Sequence, residues 1–256
     1  MLEKKMIVVC EGQTEKIYLA RWAALCNVRH KVEILCSACT SPMSLLEEGV
    51  KEYFWGNASG EEKYSGVWVV FDRDGHECFH RTLNEARKYP FVHLCWTNPC
   101  IEAWFLMHYK PLPHFARQKM ILLESAETSI GDEHALVRRE ELWEKIIEPK
   151  DVLHALKAVW PTYGKTFTGI CDTLKDKIDN AVAQCVGKSI RDDPQKIGSL
   201  MPEVLYAIAR LGTKTDEEAE LKVGPIWHAI CCQRRAEAKL AEFTANAATA
   251  AESKAA

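Results

Sequence analysis

Residues 1–110 alternate between short apolar runs and longer stretches with helical spacing, and this alternation constrains the fold more than any other feature of the chain. Such alternation is typical of parallel βαβ units. A strand that is buried on both faces is apolar throughout, as the run MIVVC at residues 6–10 is. Strands are predicted at residues 6–10, 31–35, 67–71 and 91–95. The predicted fold class is therefore α/β, with a four-stranded parallel sheet and helices on both of its faces.

After Pro111 the pattern changes, because strand-like runs nearly disappear while helical spacing continues. Helices are predicted at residues 142–147, 151–160, 170–186, 202–211 and 226–243. The final segment NAATAAESKAA carries no apolar stripe that could pack against a core. We therefore predict three parts, which are an α/β domain at residues 1–110, a mainly helical lobe at 111–245 and a disordered tail at 246–256.

The composition is that of an ordinary soluble globular protein, with 47% hydrophobic and 27% charged residues. No apolar run approaches the ~20 residues that a membrane helix needs, so no membrane association is expected. The sequence shows no signal peptide, and its 11 cysteines then suit a reducing, cytoplasmic environment. A net charge of -3 excludes a protein coated in positive charge, although a local basic surface for nucleic acid remains compatible with it.

Acidic residues directly follow two of the predicted strands. Glu11 follows the first strand, and Asp72 and Asp74 follow the third in the sequence VVFDRDG. Open parallel sheets bind ligands beyond the carboxyl ends of their strands. Residues two apart in an extended chain point the same way, so Asp72 and Asp74 would face one point. Close carboxylates repel unless a cation lies between them, and a set of oxygen ligands suits Mg²⁺ or Mn²⁺.

Each acid also has a structural interpretation. An Asp after a strand often caps the next helix. Thr14 is the predicted cap of the first helix, and Glu15 beside it would stabilise the helix dipole by ~0.3–1 kcal/mol. Glu102 lies within the apolar segment IEAWF. Because burying an unpaired charge is costly, Glu102 needs a partner, and a cation at the edge of the sheet would be one.

Three segments, in this order and spacing, resemble the RloB family of Toprim-related abortive-infection proteins: VVCEGQTEKIYL, VWVVFDRDGH and TNPCIEAWFLMHY. The resemblance continues weakly through WPTYGKTF and covers about residues 6–211. It implies a Toprim-like sheet and a magnesium-dependent endonuclease that acts in anti-phage defence. It also implies a nucleic acid substrate, which is RNA (tRNA is one candidate) or DNA, and a partner ATPase of the ABC or SMC type. A homo-oligomer is compatible with these features.

The resemblance also assigns roles to individual residues. Metal-site positions match Glu11, Asp72 and Asp74, and Glu15 and Glu102 match acidic positions that would complete a second metal site. Glu11 either joins the metal ligands or accepts a proton from the attacking water. The catalytic set that follows is Glu11, Asp72, Asp74 and Lys165.

By the same resemblance, Lys165 in the sequence YGKTF would contact a phosphate or stabilise the transition state. The alternative is an ordinary surface lysine. A Walker motif is excluded, because it would require Gly at position 159, which is Val159. A redox dithiol or a zinc site at Cys36 and Cys39 has no second supporting feature.

A different class of function also fits the same sequence. A non-catalytic sensor or adaptor with this fold would bind a nucleotide or a partner ATPase through the helical lobe. A topoisomerase or primase would share the sheet, but would need a further domain for which the 256 residues leave no room. Cleavage that depends on metal distinguishes the enzyme from the adaptor.

Overall fold

The computed structural model describes residues 4–58, 62–111, 149–185 and 198–215, together with positions 218 and 224. The elements of the first part are β1 (Lys5–Cys10), α1 (Gln13–Leu25), a 3-10 turn (Arg29–Lys31), β2 (Val32–Cys36), α2 (Pro42–Asn57), β3 (Tyr64–Asp72), α3 (Phe79–Ala86), β4 (Val92–Asn98) and α4 (Ile101–Met107). The later elements are α5 (Pro149–Val159), α6 (Ile170–Leu174), a 3-10 turn (Lys175–Lys177), α7 (Ile178–Cys185), β5 (Gly198–Ser199) and α8 (Met201–Arg210).

The sheet has the strand order β2-β1-β3-β4-β5. The four strands predicted from the sequence are present and parallel, which confirms the α/β class. The fifth strand was not predicted. It contributes two residues that run antiparallel to β4, with Ser199 opposite Thr97. The hydroxyl groups of these two residues lie 2.7 Å apart in a hydrogen bond. A two-residue strand has no periodicity that a sequence could reveal.

Helices cover both faces of the sheet. Along the sheet, β2 lies on one side of β1, whereas β3 and β4 lie on its other side. The connection from β1 to β2 therefore runs in one direction across the sheet, and the connections from β2 to β3 and from β3 to β4 run in the opposite direction. Because parallel crossovers are right-handed, α1 lies on one face while α2 and α3 lie on the opposite face. The two central strands β1 and β3 are consequently almost entirely buried, and this burial accounts for their continuous apolar sequence.

Helices from the later part of the chain pack on the same core. The Trp22 indole N–H of α1 donates to the Leu205 carbonyl of α8 over 2.9 Å. Arg21 forms a two-bond ion pair with Asp172 of α6, at 2.7 and 2.9 Å. Every residue of α4 is buried, because that helix lies between the sheet and helices α5 and α7. The later helices therefore complete the hydrophobic core that the sheet begins.

The predicted helical lobe is confirmed where the structure describes it. Residues 151–160 and 202–211 correspond to α5 and α8, and residues 170–186 divide into α6, a 3-10 turn and α7. The predicted helices at 142–147 and 226–243 and the predicted tail at 246–256 lie outside the described residues. The division into parts ending at residues 110 and 245 stays a prediction. In the described part of the chain, no helix combines the length and apolar character needed to cross a bilayer.

Candidate active site

The carboxyl edge of the sheet brings Glu11 and Asp72 together from neighbouring strands. Glu11 continues the pairing of β1 with β3 by one residue, since its N–H donates to the Val70 carbonyl over 3.0 Å. The Asp72 N–H in turn donates to Glu11 Oε2, also over 3.0 Å. Both residues are partly buried. Two of the acids predicted from the sequence therefore lie at the same point on the sheet.

Glu15 reaches this point from the first turn of α1. The residue is 4% exposed, and its Oε2 is buried with no hydrogen-bond partner among the described residues. Gly12 makes room for that oxygen, because a Cβ at Gly12 would lie only 2.7 Å from it. Glu15 is therefore directed inward, towards the other acids.

Glu102 approaches from the first turn of α4, just beyond the end of β4. It is 2% exposed. The Tyr163 hydroxyl donates to Glu102 Oε1 over 2.9 Å, and the Lys165 ammonium lies 3.6 Å from the same oxygen. Tyr163 and Lys165, from the later part of the chain, thus provide some of the partners that the buried Glu102 requires. Tyr163 was not singled out from the sequence, where it is one of several aromatic residues on apolar stretches.

We call Glu11, Glu15, Asp72 and Glu102 the carboxylate cluster. Burial raises the pKa of Glu15 to about 7, and the charges of Glu11 and Glu102 also raise it. The pKa of Asp72 is held well above its usual range by burial and then by the other three members of the cluster. Burial also raises the pKa of Glu11, while the hydrogen bond from the Asp72 N–H acts to lower it. The ionised cluster therefore carries negative charge that Lys165 offsets only in part, and a cation would neutralise the remainder.

Asp74 occupies a different position from the one that strand alternation predicts. Strand β3 ends at Asp72, so the alternation of side chains does not extend to Asp74. Asp74 has a positive φ of 25°, and its N–H donates to the Pro99 carbonyl over 3.2 Å. The residue is exposed, yet its charge acts to raise the pKa of Glu11. Asp74 therefore lies at the rim of the carboxylate cluster rather than inside it.

His76 lies beside the same rim. Its Nε2 is 3.9 Å from Glu11 Oε1, which is too long for a hydrogen bond, and has no hydrogen-bond partner among the described residues. In the sequence, His76 is marked only by its position two residues after Asp74. His76 is therefore placed to contact a group bound at Glu11.

The oxygen atoms of the carboxylate cluster are candidate ligands for a metal ion. Among the described residues, no three His, Cys, Asp or Glu side chains stand in an arrangement that could already hold a metal. The chemistry nevertheless fits a hard divalent cation, because the buried and unpartnered Glu15 Oε2 faces a cluster made only of carboxylates. Rotation of these side chains would be needed to bring their oxygens to ligating distances.

Lys165 is positioned by a contact with α1. The Thr14 hydroxyl donates to the Lys165 backbone carbonyl over 2.9 Å. The capping role predicted for Thr14 is wrong, since Gly12 occupies the N-cap position and makes no side-chain bond. The Lys165 side chain is 67% exposed, and Glu102 is the main cause of its raised pKa. Lys165 thus presents a positive charge to solvent at the edge of the carboxylate cluster.

Comparison with known protein families identifies a relationship for most of the chain. A family model described as RloB-like protein matches residues 6–185. The matched range runs from β1 to α7 and contains the whole carboxylate cluster, Asp74 and Lys165. No curated protein and no solved structure matches the chain.

Proposed function

This chain belongs to the RloB-like protein family, and from that premise we propose that it is a magnesium- or manganese-dependent nuclease that hydrolyses phosphodiester bonds. The observation that carries the proposal is the carboxylate cluster, in which four acids from β1, α1, β3 and α4 meet at one edge of the sheet. Folding brings these charges together against their repulsion, which is costly unless a cation is bound there. Perturbed carboxyl groups of this kind favour a functional role.

The residues divide into two groups around the proposed ions. Asp72, with Asp74 at the rim, would hold one cation beside Glu11, and Glu15 with Glu102 would hold a second. When bound, such cations supply positive charge that neutralises the scissile phosphate and the leaving oxygen.

Glu11 is the residue that we propose accepts the proton of the attacking water. Burial raises its pKa, which makes its carboxylate a stronger base than a solvent-exposed one. The Asp72 N–H fixes the direction of one carboxylate oxygen and leaves the other, Oε1, towards His76.

Lys165 is proposed to contact the phosphate during the reaction. Its ammonium is exposed to solvent while it stays within 3.6 Å of Glu102. A cation in this position stabilises negative charge that develops on phosphate oxygens. Tyr163, from the same stretch of chain, holds Glu102 and so acts as a positioning residue.

The biological setting of the proposed reaction follows from the family resemblance alone. It favours cleavage of RNA, with tRNA as one candidate and DNA as the next, in a cytoplasmic defence against phage. A partner ATPase of the ABC or SMC type and a homo-oligomer belong to the same proposal. A sensor or adaptor without catalytic activity is the alternative that the experiment below distinguishes.

The test combines a metal-binding measurement with a cleavage assay. Purified protein is incubated with total RNA and with plasmid DNA in EDTA, Mg²⁺, Mn²⁺ or Ca²⁺, and binding of Mg²⁺ and Mn²⁺ is measured by calorimetry. We expect cleavage in Mg²⁺ or Mn²⁺ but not in EDTA or Ca²⁺. Asp72→Asn should abolish both metal binding and cleavage.

Glu85→Gln, which removes an acid that pairs with Lys88 on the surface, is the matched control and should change neither readout. Full cleavage in excess chelator would contradict the metal requirement. Binding of nucleic acid without cleavage under any of these conditions would favour the adaptor.

A further inference from the structure

The stretch that carries Lys165 also carries an exposed aromatic ring. We call residues 160–169 the 160–169 loop. Its positions 164–168 are all exposed, whereas Tyr163 and Ile170 on either side are buried. The Phe167 side chain is 43% exposed and lies two residues from Lys165. The loop therefore presents a positive charge and an apolar ring next to each other.

The location of Phe167 differs from that of the other large exposed hydrophobic residues in the described part of the chain, which are Leu25, Phe54 and Trp55. Those three lie in the last turns of α1 and α2. Helices of βαβ units run antiparallel to the strands, so their ends lie at the amino edge of the sheet. Phe167 lies at the carboxyl edge, in the loop that contacts the carboxylate cluster.

The ring of Phe167 is held in a defined position. It packs on Trp160 with ring centroids 6.0 Å apart and an angle of 77° between the planes. Its N–H donates to the Gly164 carbonyl over 2.9 Å. A Cβ at Gly169 would lie 2.5 Å from the tip of the ring, so the ring rests over a position that only glycine leaves open. An apolar ring that is fixed and yet exposed is available to a ligand.

We propose that Phe167 stacks on an unpaired base next to the scissile phosphate, so that the site takes single-stranded or looped nucleic acid rather than a continuous duplex. The proposal rests on the proposed function, because that function places a phosphate beside Lys165. The backbone positions of Lys165 and Phe167 are two residues apart and lie at most ~7 Å from each other, so both side chains extend from the same short turn beside the carboxylate cluster. Bases within a duplex are already stacked and cannot offer a free face to the ring.

Stacking also fits the charge of this protein. A net charge of -3 gives little general attraction to phosphates, so a base contact would contribute much of the affinity. A phenyl ring has no hydrogen-bonding group, so it would accept any base. The substrate class is accordingly defined by strandedness and not by sequence.

The experiment measures binding in protein that cannot cleave. In an Asp72→Asn background with Mg²⁺ present, fluorescence anisotropy is recorded for short single-stranded RNA, single-stranded DNA and a blunt duplex of the same length. Phe167→Ala should weaken single-stranded binding by roughly 5- to 150-fold, the equivalent of ~1–3 kcal/mol for one stacked base. Duplex binding should change by less than about twofold, since no base is free to stack.

Two further variants separate stacking from a loss of structure. Phe167→Trp keeps an aromatic face and should retain single-stranded binding. Phe54→Ala removes an exposed ring at the opposite edge of the sheet and should have no effect. A strand with 2-aminopurine at successive positions should be quenched at one position by protein with Phe167 and at none by Phe167→Ala.

Three results would overturn the proposal. These are unchanged single-stranded binding in Phe167→Ala, an equal loss for single strand and duplex, and failure of Phe167→Trp to bind. A docking role of Phe167 for a protein partner would give the first of these results. If single strands bind through Phe167 but metal-dependent cleavage never occurs, the nuclease proposal fails and the stacking proposal stands. If cleavage occurs and Phe167→Ala binds normally, only the stacking proposal fails.

Discussion

Replacing Glu15 with Gln should make the metal-free protein more stable at neutral pH, by an amount that grows as the pH rises. The folded protein holds the Glu15 proton up to a pKa of about 7, whereas a solvent-exposed Glu loses its proton near its ordinary pKa of 4.5. Between these values the folded state binds more protons than the unfolded state. The stability contributed by Glu15 therefore falls as the pH rises from about 4.5 to about 7.

The size of the effect follows from the difference between the two pKa values. A shift of 2.5 units corresponds to roughly 3 kcal/mol, of which roughly 2–3 kcal/mol is lost between pH 5 and pH 8. Gln has no proton to lose, so the stability of Glu15→Gln relative to the wild type should increase by that amount over the same range.

The comparison must be between variant and wild type, because another group acts in the opposite direction. Burial lowers the pKa of His108 to about 4, so its contribution to stability rises as the pH increases from about 4 to 6.5. The wild-type curve alone would therefore show partial cancellation. His108 is present in both proteins and drops out of the difference.

The assay is urea unfolding in EDTA at several pH values between 5 and 8. Glu85→Gln is the control and should stay within about 0.5 kcal/mol of the wild type throughout. Saturating Mg²⁺ should stabilise the wild type more than Glu15→Gln. A difference between Glu15→Gln and wild type that does not change with pH, or a variant that is less stable at every pH, would refute the buried-charge argument.

Three further predictions concern other members of the site. Asp72→Asn should raise the midpoint of thermal unfolding in EDTA, because it removes one of the mutually repelling charges, while abolishing cleavage; an active variant would instead support a helix-capping role. Tyr163→Phe should destabilise the protein by ~1–3 kcal/mol, because the buried Glu102 loses its hydrogen bond. The variant should also bind Mg²⁺ more weakly in calorimetry. Unchanged metal affinity would show that Tyr163 does not belong to the site. Glu11→Gln should lower the single-turnover cleavage rate at saturating Mg²⁺ by ~10²–10⁴-fold, and return to the wild-type rate at high Mg²⁺ would make Glu11 a ligand rather than a base.

The sheet could be predicted because the burial of its strands is visible in their amino-acid composition. Strands β1 and β3 are apolar throughout since helices cover both of their faces, and a short run of residues is enough to reveal this. Strand β5 could not be predicted, because Gly198 and Ser199 form a strand only through their pairing with β4. Strands such as β1 and β3 can be predicted from their local sequence pattern, whereas β5 depends on a tertiary contact.

The candidate site divides in the same way. The topology of parallel strands places acids such as Glu11 and Asp72 at one edge, so their proximity follows from the sequence. The displaced position of Asp74 depends on its positive φ, which the dipeptide Asp74-Gly75 favours. It was not predicted because side-chain alternation was extended past Asp72, where the strand ends. The contact of Thr14 with Lys165 joins residues 151 positions apart, and no local periodicity reports a contact over that distance.

Burial of α4 on all sides also determines when the candidate site can be completed during synthesis of the chain. A ribosome releases strands β1 to β4 and α4 before α5, α7 and α8, at ~5–20 residues per second. Until α5 and α7 emerge, the apolar side of α4 that packs on them lacks those contacts, and Glu102 lacks both Tyr163 and Lys165. A nascent or prematurely terminated chain would therefore carry acids without a finished site and would be a substrate for chaperones and proteases. The carboxylate cluster is thus complete only in a chain that has been synthesised at least as far as Lys165.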